Sequence, residues 1–379
     1  MHEIYLDYNA TAPPRDEALA VWQRVTADCG ANASSAHAAG RRAKDALDAA
    51  RETLAGTLGA RPREIVFTSG GTESDNLAVK GVALARGTGH IVTSAIEHPA
   101  VLETCRYLER HGFSASYVAP GADGRVEADA VARAIRADTI LVSVMWVNNE
   151  TGVIQPVEEI AAAARARGVP FHTDAVQACG RVPIDVRGAS VDLLSISAHK
   201  FGGPKGAGAL FVRRGVELEP LLHGGGQEWN ARSGTRDVAA AAAMAEAARL
   251  AHAEMAAEIP RQAALRDRLE RDALARIPRV FVNGGAAPRV GNTSNLRIED
   301  VDGETLLLAL DEHGIAASSA SACAASHAEP SHVLMAMALT RRQAEDSMRV
   351  SLGRLSGAED VNALLEVLPA LVERIRALR

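Results

Sequence analysis

Aromatic side chains make up only 3% of the 379 residues, so a base-stacking surface is not expected. Cysteine is scarce as well. Cys29, Cys105, Cys179 and Cys323 are scattered with no C-x-x-C pair, which suits reduced thiols in the cytoplasm better than a disulfide framework. No apolar run approaches the ~20 residues of a membrane span. The longest bland stretch, Val238 to Ala245, is mostly alanine and is stopped by Glu246. The opening residues, Met1-His2-Glu3-Ile4-Tyr5-Leu6-Asp7, lack the basic-then-apolar layout of a signal peptide, so cytoplasmic location without a membrane partner is expected. Lys+Arg 41 against Asp+Glu 47 leaves a net charge of −6, which argues against a general nucleic-acid binder. There is no H-E-x-x-H, Walker lysine or G-x-G-x-x-G, so zinc-protease, P-loop and dinucleotide chemistry are disfavoured and no metal site is expected. Ser197-x-x-Lys200 and Ser74-Asp75-Asn76 match fragments of the serine β-lactamase set, but the Lys-Thr-Gly element is missing.

What is present describes a folded α/β chain. At about 150 residues per domain the length suggests two domains, and 47% apolar residues are enough for a large core. Short β-branched runs (Ile65–Thr68, His90–Thr93, Thr139–Met145, Pro170–Thr173, Leu193–Ile196) alternate with helical windows at about Thr72–Leu84 and Val157–Arg167. Such alternation predicts a mainly parallel sheet covered on both faces. After about Ala256 the pattern changes. A long Ala-rich helix over Val238–Arg276 leads into a loop at Asn283–Asn295, then a shorter α/β mixture. Asp302 is placed to cap a helix through Leu310, with Gly314 beyond its end. Ser356-Gly-Ala-Glu359 has capping-box spacing and opens a last helix with Val361, Leu364, Leu365, Leu368, Leu371, Val372 and Ile375 on one face. The expected division is a large domain at 14–255 and a smaller one made of 1–13 and 256–379.

Several strand ends carry residues with chemical potential. Thr68-Ser-Gly-Gly-Thr-Glu-Ser74 runs from a strand into a helix, either a phosphate cradle or an ordinary turn. Asp174 follows an apolar strand, either facing a ligand crevice or capping a helix. Lys200, one of only four lysines (Lys44, Lys80, Lys200, Lys205), follows another. A lysine at an apolar crevice is suited to forming a Schiff base, and otherwise is a solvated surface lysine. His98 follows the strand at 90–93, where an imidazole can stack on a flat ligand or simply satisfy loop backbone. Cys323 sits in a small, polar segment, Ser318 to Pro330, that reads as a mobile loop exposing its thiol. Arg349 is placed either to clamp a carboxylate or to remain a surface strand arginine.

Together these segments describe a pyridoxal-phosphate site, and the chain closely resembles the class V aminotransferase-fold cysteine desulfurases over nearly its whole length. The resemblance is carried by Tyr5-Leu-Asp-Tyr-Asn-Ala-Thr11, Phe67-Thr-Ser-Gly-Gly-Thr-Glu-Ser-Asp-Asn76, Glu97-His-Pro-Ala-Val101, Val147-Asn-Asn-Glu-Thr-Gly152, His172-Thr-Asp-Ala-Val-Gln177, Ser197-Ala-His-Lys200, Arg232-Ser-Gly-Thr235, Ser321-Ala-Cys323 and Arg349-Val-Ser-Leu-Gly-Arg354. It implies the fold type I architecture of pyridoxal-phosphate transferases, with a seven-stranded sheet in the large domain. It also implies roles: Lys200 bonded to the cofactor, Asp174 on the ring nitrogen, His98 stacked on the ring, and Gln177 on the ring hydroxyl. Gly71, Thr72, Ser197 and His199 would hold the phosphate, Thr235 would reach the phosphate in the partner of a homodimer, and Arg349 with Asn149 and Asn32 would hold the substrate. The implied activity removes sulfur from L-cysteine, leaving L-alanine and a persulfide on Cys323 for transfer to an acceptor protein, as in iron–sulfur cluster assembly. The alternative is selenocysteine lyase or a related lyase, since sulfur and selenium substrates are near-isosteric. A non-catalytic scaffold is disfavoured by the intact set of Lys200, Asp174, His98, Cys323 and Arg349.

Overall fold

A computed structural model describes residues 3–319 and 329–378 of the chain. The thirteen strands among them are β1 (Ile4–Tyr5), β2 (Ile65–Thr68), β3 (His90–Ser94), β4 (Ser114–Val118), β5 (Thr139–Ser143), β6 (Phe171–Asp174), β7 (Leu193–Ser197), β8 (Gly208–Val212), β9 (Val280–Val282), β10 (Thr293–Ile298), β11 (Ile315–Ala316), β12 (Ser318–Ser319) and β13 (Ser347–Ser351). Seven form one sheet in the order β2-β8-β7-β6-β5-β3-β4. The pairings among β3 to β7 are parallel, and β8 runs antiparallel to both β2 and β7. The mainly parallel sheet expected from the alternation is therefore present.

Side-chain alternation divides the sheet between two cores. Val66, Ile91, Leu141, Leu193 and Leu210 pack on one face with Leu77, Val82, Val101 and Leu108 from helices Gly71–Arg86 and Pro99–Glu109. Ile65, Val92, Val142, Leu194 and Phe211 point the other way, into a core shared with helices Ala38–Leu58 and Val238–Arg276. Fully apolar strands are what a sheet covered on both sides requires. A separate core gathers Leu269, Leu296, Leu306, Met348 and Leu364 around the four-stranded sheet β12-β13-β10-β9. The 39-residue helix Val238–Arg276 crosses the expected 255/256 division, contributing Met244 and Ala248 to the second of these cores and Leu269 and Ala273 to the last.

Some local expectations shift. The strand predicted over Thr139–Met145 ends at Ser143. The predicted loop 283–295 yields its last residues to β10, which begins at Thr293. Strands β4 and β8 were not legible, because β4 is a half-buried edge strand and β8 opens with glycine and alanine. The last helix, Ala358–Arg376, buries every residue of its predicted apolar stripe, but its cap lies one residue later than expected. Asp360 accepts from the Gly357 N–H at 2.8 Å, while the Ser356 hydroxyl accepts from Gly353 N–H at 2.9 Å. The Asp302 cap is as predicted, accepting from the Thr305 N–H at 2.9 Å.

The N-terminal segment joins the two parts. β1 pairs in parallel with β11 beside the smaller core, and Asp7 bridges Ser351. The chain then passes over the large sheet, where Ala12 N–H donates to the His199 carbonyl and Arg15 N–H to that of Gly202, both at 2.8 Å.

Candidate active site

Parallel strands place the residues that follow them along one edge of the sheet, where ligands bind in open α/β folds. The turn after β2, the loop after β3, the end of β6 and the turn after β7 meet around one cavity of about 210 Å³, a concave site with convergent polar groups of the kind small ligands occupy. Gly71, Thr72, His98, Asn149, Asp174, Gln177, Ser197, His199 and Lys200 all line it, so most of the residues singled out in the sequence come together here. Asn9, Asp75, Met145, Val147 and Val176 complete the lining.

Each side chain is fixed by its local structure. His98 precedes helix Pro99–Glu109 and caps it, its Nδ1 accepting from the Ala100 N–H at 3.1 Å. The ring proton therefore sits on Nε2. Burial, helped by the nearby charges of Lys200 and His332, pushes His98 down to about 4, so its ring is neutral near pH 7. Asp174 ends β6, and its Oδ1 accepts from the Val176 N–H at 2.9 Å. Burial raises its pKa, while that N–H and the Lys200 charge pull it back. The Lys200 amine donates to the carbonyls of Asn9 at 2.6 Å and Ala10 at 2.9 Å. Gln177 donates to the same Asn9 carbonyl at 2.9 Å, and its own oxygen accepts from Arg181. The His199 ring bonds the Thr11 hydroxyl at 3.1 Å.

The donor set suits pyridoxal phosphate. A buried carboxylate on the cavity wall, Asp174, needs a cationic partner, which a protonated ring nitrogen provides. The helix Gly71–Arg86 opens onto the cavity with small residues, and a Cβ at Gly71 would meet Val176 Cγ2 at 2.7 Å, so only glycine keeps this cradle. Thr72, Ser197 and His199 add side chains that can bond an anion beside the helix start. Lys200, the residue suited to an imine, lies in the same cavity.

Three of the sequence candidates lie elsewhere in the described structure. Arg349, on β13, is buried and donates to the Asn149 carbonyl at 3.0 Å and to Asp7 at 2.7 Å, just behind the cavity lining. Asn32 turns its side chain to the Ser34 N–H at 2.9 Å. Thr235 borders a different cavity, with Thr68, Ser69 and Arg232. Cys323 lies outside the described residues.

The sequence reading missed the organising role of Asn9. Its Nδ2 donates to the Asn149 carbonyl at 3.0 Å and to Thr293 at 2.9 Å, its Oδ1 accepts from Asn292 at 3.0 Å, and its N–H donates to Ser351 at 2.9 Å. It also missed Asp7 as the partner of Arg349, and Asp75. Asn9 and Asp7 sit within a segment quoted for the resemblance, but an Asx residue near the start of a chain carries no local signal of burial.

Comparison with known proteins places the chain in a family. The family described as aminotransferase class-V matches residues 4–364. The chain is 46% identical over 378 residues to the protein named cysteine desulfurase IscS of Dictyoglomus turgidum, covering 99% of this chain and 96% of that one. It superposes on a solved structure titled NifS-like protein with a TM-score of 0.90 at 34% identity, covering 100% of this chain and 99% of the other. A structure titled SspA in complex with cysteine matches with a TM-score of 0.82 at 38% identity, covering 93% of this chain and 99% of that chain.

Proposed function

The chain belongs to the class-V aminotransferase family, and we propose from that premise that it works as a pyridoxal-phosphate-dependent cysteine desulfurase. The observation that carries the reading is the convergence of Lys200, Asp174, His98 and the Gly71–Thr72 cradle on one cavity. The protein takes sulfur from L-cysteine and releases L-alanine, and the sulfur is destined for an acceptor protein of iron–sulfur cluster assembly.

Lys200, Asp174, His98 and Gln177 hold the ring end of the cofactor in this reading, and Gly71, Thr72, Ser197 and His199 the phosphate. When bound, pyridoxal phosphate supplies an electron sink for charge released at the substrate Cα. The Lys200 amine takes the Cα proton and later returns a proton to the product. The carbonyls of Asn9 and Ala10 hold the amine at the cavity wall in the structure described. Neutral His98 presents a flat ring without adding charge to the cavity. Asn149 lines the cavity and also accepts from Arg349, which places the arginine to answer a substrate carboxylate by exchanging its bond to Asp7. Asn32 completes the substrate contacts only if its segment moves from its present turn. Cys323 acts as the thiolate: its sulfur bonds the substrate sulfur, the substrate Cβ–S bond breaks, and the persulfide stays on the protein. Proton return at Cβ and Cα completes L-alanine.

The same reading makes the protein a homodimer in which Thr235, remote from its own cavity, serves the partner's site. It keeps the two-domain division at 14–255 and 1–13 with 256–379, supported by the separate core around the small sheet. It places the protein in the cytoplasm, supported by Cys29, Cys105 and Cys179 being unpaired thiols. Among the described residues no helix is long and apolar enough to cross a membrane.

The test is a pair of variants. Lys200→Ala is expected to lose the visible colour of the bound cofactor and its borohydride-reducible adduct, and an unchanged spectrum refutes the lysine assignment. Cys323→Ser is expected to keep the colour and form no protein persulfide from L-cysteine. A persulfide that instead maps to Cys105 or Cys179 overturns the assignment of the thiol.

A further inference from the structure

His172 and Asp174 alternate along β6 and so project from the same face of the strand. Helix Gly71–Arg86 brings Asp75 against that face. Asp75 is 1% exposed and borders the same cavity as Asp174. Its Oδ1 has no hydrogen-bond partner among the described residues and stands 3.7 Å from His172 Nε2. His172 is held between two hydroxyls, Ser143 at 2.8 Å and Ser195 at 3.0 Å. An ionised carboxylate buried this deeply with one oxygen left unpartnered is costly, unlike one that takes a proton.

The groups around Asp75 offer no counter-charge. Burial pushes His172 down to about 3, so it is neutral. Glu97, in the loop after β3, is pushed up to about 8 by burial and is neutral as well. Asp174 faces Asp75 as a like charge, and desolvation with that charge raises Asp75 well above the carboxylate range, with the Ser195 hydroxyl pulling the other way. Asp174 has the Val176 N–H and the Lys200 charge in its favour, and Asp75 has neither. Two carboxylates in one dry pocket do not both ionise, and the better-supported one keeps the charge.

We propose that Asp75 is a positioning residue for the ring end of the site: it carries the single proton of an Asp75–Asp174 pair, leaving the charge on Asp174 for the cofactor's ring nitrogen. The proposal rests on the reading that pyridoxal phosphate occupies the cavity. Asp75 thereby acts through Asp174 rather than on the substrate. The hydroxyl-bound His172 packs beside Asp75 without adding a charge.

Infrared spectroscopy of the holoenzyme tests this. Protein labelled with side-chain carboxyl-13C aspartate is expected to show an isotope-shifted protonated-carboxyl stretch near neutral pH. The band should vanish in Asp75→Asn and survive in Glu97→Gln, whose own acid is not aspartate. A wild-type spectrum with no protonated aspartate overturns the proposal without any variant being needed. A band that persists in Asp75→Asn also overturns it, because the proton then sits on another aspartate. The visible absorption of the cofactor is read on the same samples. A coloured protein lacking the aspartate band fails this proposal alone, whereas a protein that takes up no pyridoxal phosphate fails the reading of the cavity and this proposal with it.

Discussion

The molecule buries acidic side chains in two opposite ways. Glu228 has a fully buried side chain, yet its carboxylate accepts from both guanidinium nitrogens of Arg51, at 2.7 and 2.8 Å, and from the Phe67 N–H at 3.0 Å. Arg51 in turn lies 4.6 Å from the ring centroids of Phe67 and of Trp229. Asp75, Asp174 and Glu97 are as deeply buried, but Oδ1 of Asp75 and Oε2 of Glu97 have no partner among the described residues. Where a buried charge is matched by protein, it fastens the fold. Where it is left short, it faces a cavity or carries a proton, and the shortfall points to chemistry. The first cluster also holds Glu228, Trp229 and Asn230 in left-handed backbone conformations, with φ of 49°, 56° and 69°. Such strain persists only where surrounding contacts fix it.

The comparison breaks most visibly if the matched pair is cut. Glu228→Ala leaves Arg51 buried and uncompensated, and a loss of about 3–5 kcal/mol in unfolding free energy is expected by chemical denaturation. A loss below 1 kcal/mol, on the order of an exposed pair, contradicts the fastening role. Cutting the unmatched cluster has the reverse sign. Glu97 has its folded-state pKa raised from 4.5 to about 8, chiefly by burial, so its contribution is fully present below about 4.5 and is lost as pH rises through about 8. Glu97→Gln keeps an acceptor for Ser94 and the Met145 N–H and removes that dependence. The variant is expected to gain on the wild type by about 2 kcal/mol between about pH 5 and pH 8, within the ceiling of about 1.4 kcal/mol per pH unit. A gap that stays flat with pH overturns it. The smallest effect belongs to a pair open to water. Glu345 bonds Arg341 at 2.7 Å with the two side chains 41% and 64% exposed, so Glu345→Ala is expected to cost no more than about 1 kcal/mol and less in high salt, measured by the same denaturation.

The two clusters were unequally legible in the sequence. Lys200, His98 and Asp174 stand at or a few residues beyond the ends of apolar strands, and the strand-end rule places them at one edge of the sheet. The stripe of the last helix was legible for a similar reason, since a 3.6-residue period is a local signal. Asp75 was not, because Ser74-Asp75-Asn76 reads like the polar first turn of any helix. Its burial depends on β6, almost a hundred residues away in the chain. Glu228 sits in a Gly-rich stretch with no period at all, and its partner Arg51 belongs to another helix. Strand β8 escaped for the same reason, since its place between β2 and β7 is a matter of topology. Asn9 shows the limit most plainly: every bond that gives it meaning is made to a distant residue.

That asparagine has a mechanical consequence. Its carbonyl grips the amine of Lys200 and the amide of Gln177 on one side, while its own side chain is anchored to Thr293 and Asn292 on the other. A slide of the four-stranded sheet by a fraction of an ångström tugs directly on the hook that holds the lysine. The lysine is thereby moored through one residue to the four-stranded sheet, so the seat of that sheet sets where the amine rests.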